Sequence, residues 1–247
     1  MPPSLANKNK HAAPLLVFGC VVFGLGSLIV RFVPVGAYAV AWWRLLVAGF
    51  VFWLLARRFG QKLPQSRAAV RYALISGAAL GFDLALWHES IYAVGPGIST
   101  LLNSLQIFFL TAIGFFFFNE RLGRIQTAGL LLAVCGVAMI AAPESGSNAK
   151  AAWGFVSGMV SGAMLALSMV FVRKTHEAER VALFPMMMVL SAGGALALVV
   201  PALLFDSGAL YPASWRDVGL VLVYGVVMQC FAWGLIAYAI PLLSLSL

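Results

Sequence analysis

Charged side chains are scarce in this sequence: 10% of its 247 residues are Asp, Glu, Lys or Arg, against 62% hydrophobic. Soluble domains carry about 25% charged residues to keep their surfaces in water, so that class is excluded. Cysteine is equally thin. Cys20, Cys135 and Cys230 are odd in number, scattered within apolar runs and lack metal-ligand spacing, so neither a disulfide nor a metal centre is expected. No HExxH, no GxSxG elbow and no Cys-His arrangement occurs, which names no catalytic residue and argues against an intramembrane enzyme. The net charge of +8 comes without a basic stripe interleaved with stacking aromatics, so no nucleic-acid partner is expected. No cofactor is expected either.

What the chain has in quantity is hydrocarbon, with a mean hydropathy of +0.98. A helix crosses a bilayer in about 20 residues at about 1.5 Å each. Eight runs meet that length: 12–32, 36–57, 70–94, 96–119, 124–142, 152–173, 182–205 and 216–239, with a ninth beginning near Pro241. The expected class is an all-α polytopic membrane protein, its partner the lipid bilayer. Short connections such as Pro34-Val35-Gly36, Gly95-Pro96-Gly97 and Glu144 to Asn148 leave no segment for a soluble domain. The first run is long and closely followed by further spans, so it reads as a retained helix and not a cleaved signal.

Lys and Arg near span ends are retained on the cytoplasmic side. Lys8, Lys10, Arg57, Arg58, Lys62, Arg67, Arg71, Arg121, Arg124, Arg173, Lys174 and Arg180 fall on one face; Arg31, Lys150 and Arg216 fall on the other. The expected N-terminus is therefore cytoplasmic.

Shifting the chain by 146 residues lays Asp83 on Gln229, Trp87 on Trp233, Tyr92 on Tyr238 and Ala93 on Ala239. Each copy has a polar residue inside the span, a tryptophan one turn later and a Tyr-Ala pair near its end. The shift equates span 3 with span 8. Five helices per repeat is an odd number, so the copies run in opposite directions, the inverted architecture of many secondary transporters. The expected units are residues 1–145, with spans 1 to 5, and an incomplete 146–247, with spans 6 to 8 and the start of a ninth.

Several motifs resemble the drug/metabolite transporter superfamily, specifically its EamA-type ten-helix exporters. They are "AWWRLLVAG" around Arg44, and the segment from "DLALWHESIYAVGPG" through a small and polar span 4 to Asn119-Glu120-Arg121 and a helix with Gln126, Gly129 and Gly136. The resemblance covers essentially the whole chain and is strongest from Gly36 to Ala142. It implies a bacterial-type inner-membrane exporter of a small metabolite, an amino acid or drug-like amphipathic solute. The family's second repeat has two more helices, and this sequence ends inside the first of them on Leu-Ser-Leu-Ser-Leu. A truncated, non-transporting fragment or a channel is the competing expectation.

Ionisable side chains within spans are costly and usually face a cavity or a partner. Arg44, Asp83, His88 and Glu89 are such residues. Arg44 lies at a depth between Asp83 and Glu89, so two roles stay open: an ion pair fixing span 2 to span 3, or a clamp for a zwitterionic or anionic solute. Glu89 is the expected proton carrier if transport is proton-coupled. Helical phase sets Ser76, Asp83, Trp87 and Ser90 on one stripe and His88 and Tyr92 on another. Trp87 offers a flat apolar wall and His88 a hydrogen bond or a titratable proton. In span 4, Ser99, Asn103 and Gln106 align at helical spacing, and amides suit neutral or zwitterionic solutes because they donate and accept without ionising. The expected substrate-binding set is Trp87, His88, Asn103, Gln106, Gln229 and Trp233. Gly77 and Gly81 in span 3 and Gly154, Gly158 and Gly162 in span 6 have GxxxG spacing, which favours close helix contact in a monomer or weak homodimer.

Overall fold

The structure, a computed structural model, describes residues 4–118 and 149–239, and isolated positions between 123 and 139. Nine helices are defined among the described residues. They are α1 (Ser4–Ile29), α2 (Ala37–Arg58), α3 (Arg67–Val94), α4 (Pro96–Asn103), α5 (Gln106–Phe118), α6 (Ala151–Ala178), α7 (Leu183–Phe205), α8 (Trp215–Tyr224) and α9 (Trp233–Ala239). A π-helical segment, Gly225–Ala232, joins α8 to α9. Seven stretches are long and apolar enough to cross a membrane, and they coincide with seven of the eight expected spans. The expected fifth span, 124–142, lies outside the described residues apart from isolated positions, as do Asn119 to Arg121, Gln126 and the start of a ninth span.

Local chemistry explains where the helices begin and break. The Ser66 hydroxyl accepts from Ala69 N–H at the start of α3, and Ser214 with Asp217 forms a reciprocal capping box at the start of α8. α3 stops at Gly95, whose φ of 88° lies in the left-handed region, and Pro96 opens α4. Span 4 is two helices because hydroxyls compete for its backbone. Ser99 donates to the carbonyl of Gly95, Thr100 to that of Pro96 and Ser104 to that of Thr100, at 2.7 to 2.8 Å. Such back-bonding bends a helix, and α4 ends at Asn103 with α5 beginning at Gln106.

α2 and α7 pack antiparallel and exchange caps at both ends. After the end of α7, Asp206 Oδ2 accepts from Ala39 N–H at 2.7 Å in the first turn of α2. After the end of α2, Gln61 Oε1 accepts from Phe184 N–H at 3.2 Å in the first turn of α7. Asp206 lies outside the spans, and burial raises its pKa above the ordinary 3.8, against the lowering effect of the Ala39 and Tyr38 amides. A third cap joins α6 to α3, where the Glu179 carboxylate takes the N–H groups of Gln65 and Ser66.

α3 is packed between α6 and α7, and the α8–π–α9 span packs on α1 and α2. Glycines permit the tightest crossings. A Cβ at Gly77 would strike the backbone carbonyl of Leu190, and one at Gly194 would meet the Gly77 carbonyl oxygen at 2.6 Å. Gly154, Gly158 and Gly162 bring α6 against the end of α3, against α4 and against the break before α5. These contacts are intramolecular.

Candidate functional site

Two polar assemblies lie side by side where α2, α3 and the π-helical segment meet. His88 occupies one. It is fully buried, its Nδ1 lies 3.2 Å from the Ala37 carbonyl oxygen, and its Nε2 lies 3.3 Å from the Tyr224 hydroxyl. The imidazole thus ties α3 to α2 and α8 and has no nitrogen left over. Helical phase turns His88, one of the expected binding residues, away from the cavity that its neighbour lines.

The second assembly is a cavity of about 10 Å³, room for on the order of one water. Arg44, Asp83, Trp87, Asn103, Gln229 and Trp233 line it, with Phe23, Leu80, Leu84 and Leu165 as apolar wall. Four of the six expected binding residues therefore converge: Trp87, Asn103, Gln229 and Trp233. Phe23 sits between the two tryptophans, its ring centroid 5.8 Å from each.

Arg44 is 1% exposed, and its hydrogen bonds go to neutral partners, not to Asp83 or Glu89, the carboxylates that one of its two expected roles would pair it with. Its Nε donates to Gln229 Oε1 at 2.9 Å and its Nη1 approaches the Tyr224 hydroxyl at 3.5 Å. The guanidinium carbon also lies 5.3 Å from the Phe23 ring centroid and 5.5 Å from that of Tyr224. Aromatic faces and neutral oxygens hold the charge. Asp83 instead accepts from Asn103 Nδ2 at 2.7 Å, and the same amide donates to Ser161 on α6.

The π-helical turn aims Gln229. The N–H of Trp233 reaches back to the carbonyl of Met228, one residue further than an α-helical bond, and Gly225 lets the segment close on Val47 and the backbone of Arg44. Gln229 then meets the Arg44 head group about one turn later.

Other expected residues fall elsewhere. The break after Asn103 takes Gln106 off the cavity, and its Oε1 is buried without a partner. Ser99 bonds back to Gly95 and receives the Ser90 hydroxyl. Glu89 accepts from the exposed Trp153 indole at 3.0 Å, apart from the cavity. The side chain of Tyr238, the expected counterpart of Tyr92, lies outside the described residues. Sequence reasoning missed Phe23 and Tyr224. Tyr224 was discoverable as a phenol inside an apolar run, whereas Phe23 is one of 18 phenylalanines with nothing to single it out.

The EamA-like transporter family profile matches residues 11–142. The chain belongs to that family. EamA proteins are membrane transporters and not enzymes. Similar proteins include a "Probable amino-acid metabolite efflux pump" of Salmonella typhimurium, 28% identical over 70% of this chain and 56% of its own length. The protein of the same description from Escherichia coli is 25% identical over 96% of this chain and 77% of its own. "Pseudopaline exporter CntI" of Pseudomonas aeruginosa is 27% identical over 88% of this chain and 74% of its own. The chain thus spans a little over half the length of the Salmonella relative. A solved crystal structure superposes with a TM-score of 0.58 over 94% of this chain and 79% of its own at 15% identity, a likeness of fold alone.

Proposed function

We propose that this EamA chain exports a small amphipathic metabolite, an amino acid or drug-like solute, across a bacterial inner membrane by alternating access, with its N-terminus cytoplasmic. The observation that carries the reading is the cavity itself. Arginine, aspartate and two amides are held among seven bilayer-length helices, where polar groups are expensive unless they serve a pathway.

The packing supports two inverted units, 1–145 and 146–247. α3 of the first packs on α6 and α7 of the second, while the α8–π–α9 span packs on α1 and α2. The exchanged caps of Asp206 and Gln61 have the same reciprocity. Inverted units around a shared site allow one to rock against the other. The direction and the solute class are supported by the likeness to an amino-acid metabolite efflux pump and a pseudopaline exporter.

The test is counterflow in proteoliposomes with a panel of amino acids and cationic dyes. Saturable flux of at least one solute is expected. Flux that rises linearly with concentration would mark a channel, and none at all from protein shown to be folded would end the transport reading.

A further inference from the structure

We propose that the cavity recognises a carboxylate on its solute, through Nη2 of Arg44, Nε1 of Trp87 and Nε2 of Gln229. This rests on the transport reading above. The three atoms are buried and have no hydrogen-bond partner. All three are donors, and they come from three different elements that line one cavity: α2, α3 and the π-helical segment. Their residues are 1%, 4% and 1% exposed, so bulk water does not serve them.

A buried donor left without an acceptor costs most of its desolvation, so three at one cavity mark a place built for an acceptor that is not part of the protein. The neighbouring groups make the contrast. Both nitrogens of His88 have partners, and the Asn103 amide bridges Asp83 and Ser161. At the cavity rim, Arg44, Trp87 and Gln229 each have a donor to spare.

The chemistry of the rim selects the ligand class. A carboxylate offers two oxygens with about four lone-pair sites and takes charge-assisted bonds from a guanidinium. It would also neutralise the Arg44 charge, which no described carboxylate contacts. A water has two lone pairs for three donors and no charge. A cationic group at this rim would meet the guanidinium, and the Asp83 carboxylate on the same cavity is already engaged by the Asn103 amide. The cavity as it stands has room for about one water, so it must widen to seat a carboxylate.

The full chain in proteoliposomes tests this. Counterflow is first run with the twenty proteinogenic amino acids and a set of cationic dyes. The amino acid with the highest flux is then competed with its carboxamide, its decarboxylated amine and its deaminated acid. The acid should compete with the parent, and the amide and amine should be at least about tenfold weaker, as expected when a site made of donors meets a ligand without the matching acceptor. Trp87→Phe, which keeps the ring beside Phe23, and Gln229→Leu should each raise the half-saturating concentration for the parent about fivefold or more, with a smaller rise for the amine. Arg44→Gln should erase the preference for acid over amide in whatever protein remains folded. Equal competition by all three analogues, an equal loss for parent and amine in Trp87→Phe, or flux of dyes only would overturn the carboxylate assignment while leaving a transporter. Absence of saturable flux for every probe would remove both.

Discussion

Trp87 and His88 are consecutive residues of α3, both almost fully buried, and they end in opposite conditions. The imidazole has a partner on each nitrogen and joins three helices. The indole N–H has none and borders a cavity. Burial does not distinguish these two neighbours; hydrogen-bond satisfaction does. A saturated group fixes geometry because any movement breaks a bond, whereas an unsatisfied one gains from whatever enters.

Substitutions on either side of that division sharpen it. The largest effect is expected on the closed face of α3. Gly77→Leu drives a side chain into the Leu190 carbonyl, and because the obstacle is backbone the helices must separate. A loss of about 3 kcal/mol or more is expected, seen as aggregated protein on size exclusion in detergent. His88→Ala comes next. It removes the contacts of the imidazole with the Tyr224 hydroxyl and the Ala37 carbonyl at a cost of about 1–3 kcal/mol, read as a lower melting temperature, while the order of preference among transported solutes stays the same. A changed preference without loss of stability would move His88 to the receptor side.

Asn103→Ala acts at the cavity. It frees Asp83 from its amide and breaks the bridge to Ser161. Interhelical bonds in bilayers average about 0.6 kcal/mol, so stability should change little, while the apparent affinity for solute falls about threefold to tenfold, measured by counterflow. The smallest effect is expected far from the cavity, at Asp206. Its carboxyl titrates above the ordinary 3.8 because burial disfavours the anion, so the folded state holds a proton more tightly than the unfolded chain. Its contribution to stability is thus fullest below 3.8 and declines as pH rises through the raised value. Asp206→Asn keeps an oxygen for Ala39 N–H and removes the titration. Wild type should lose stability relative to this variant as pH rises through that window, and parallel melting curves across it would refute the assignment.

Much of the scaffold was legible before any coordinates. Runs of hydrocarbon longer than a bilayer need no tertiary information to be read as spans, and seven of the eight expected fall on observed helices. The repeat pointed to Trp87 with Trp233 and to Asp83 with Gln229, and all four line the cavity. Two residues sit differently from what helical spacing and depth alone suggest, for local reasons. Gln106 was aligned with Asn103 on a continuous helix, but the Ser104 hydroxyl bonds back to Thr100 and the helix breaks between them. Arg44 was offered a carboxylate partner from depth alone. Depth fixes height along a helix and says nothing of the rotation that carried Asp83 to Asn103 and Arg44 to Gln229.

The sequence by itself determined that this chain belongs in a bilayer, which runs are long and apolar enough to cross it, and which few polar residues fall within those runs, because hydrophobicity and length act one segment at a time. Tertiary structure decided which of those polar residues are spent on one another and which are left with an open bond. That outcome depends on helix rotation, on a π-helical turn at Gly225–Ala232 and on glycine crossings that set how closely α3 meets α7. Each is a relation between segments, and a partner 185 positions away, as Gln229 is from Arg44, is fixed only when the helices have packed.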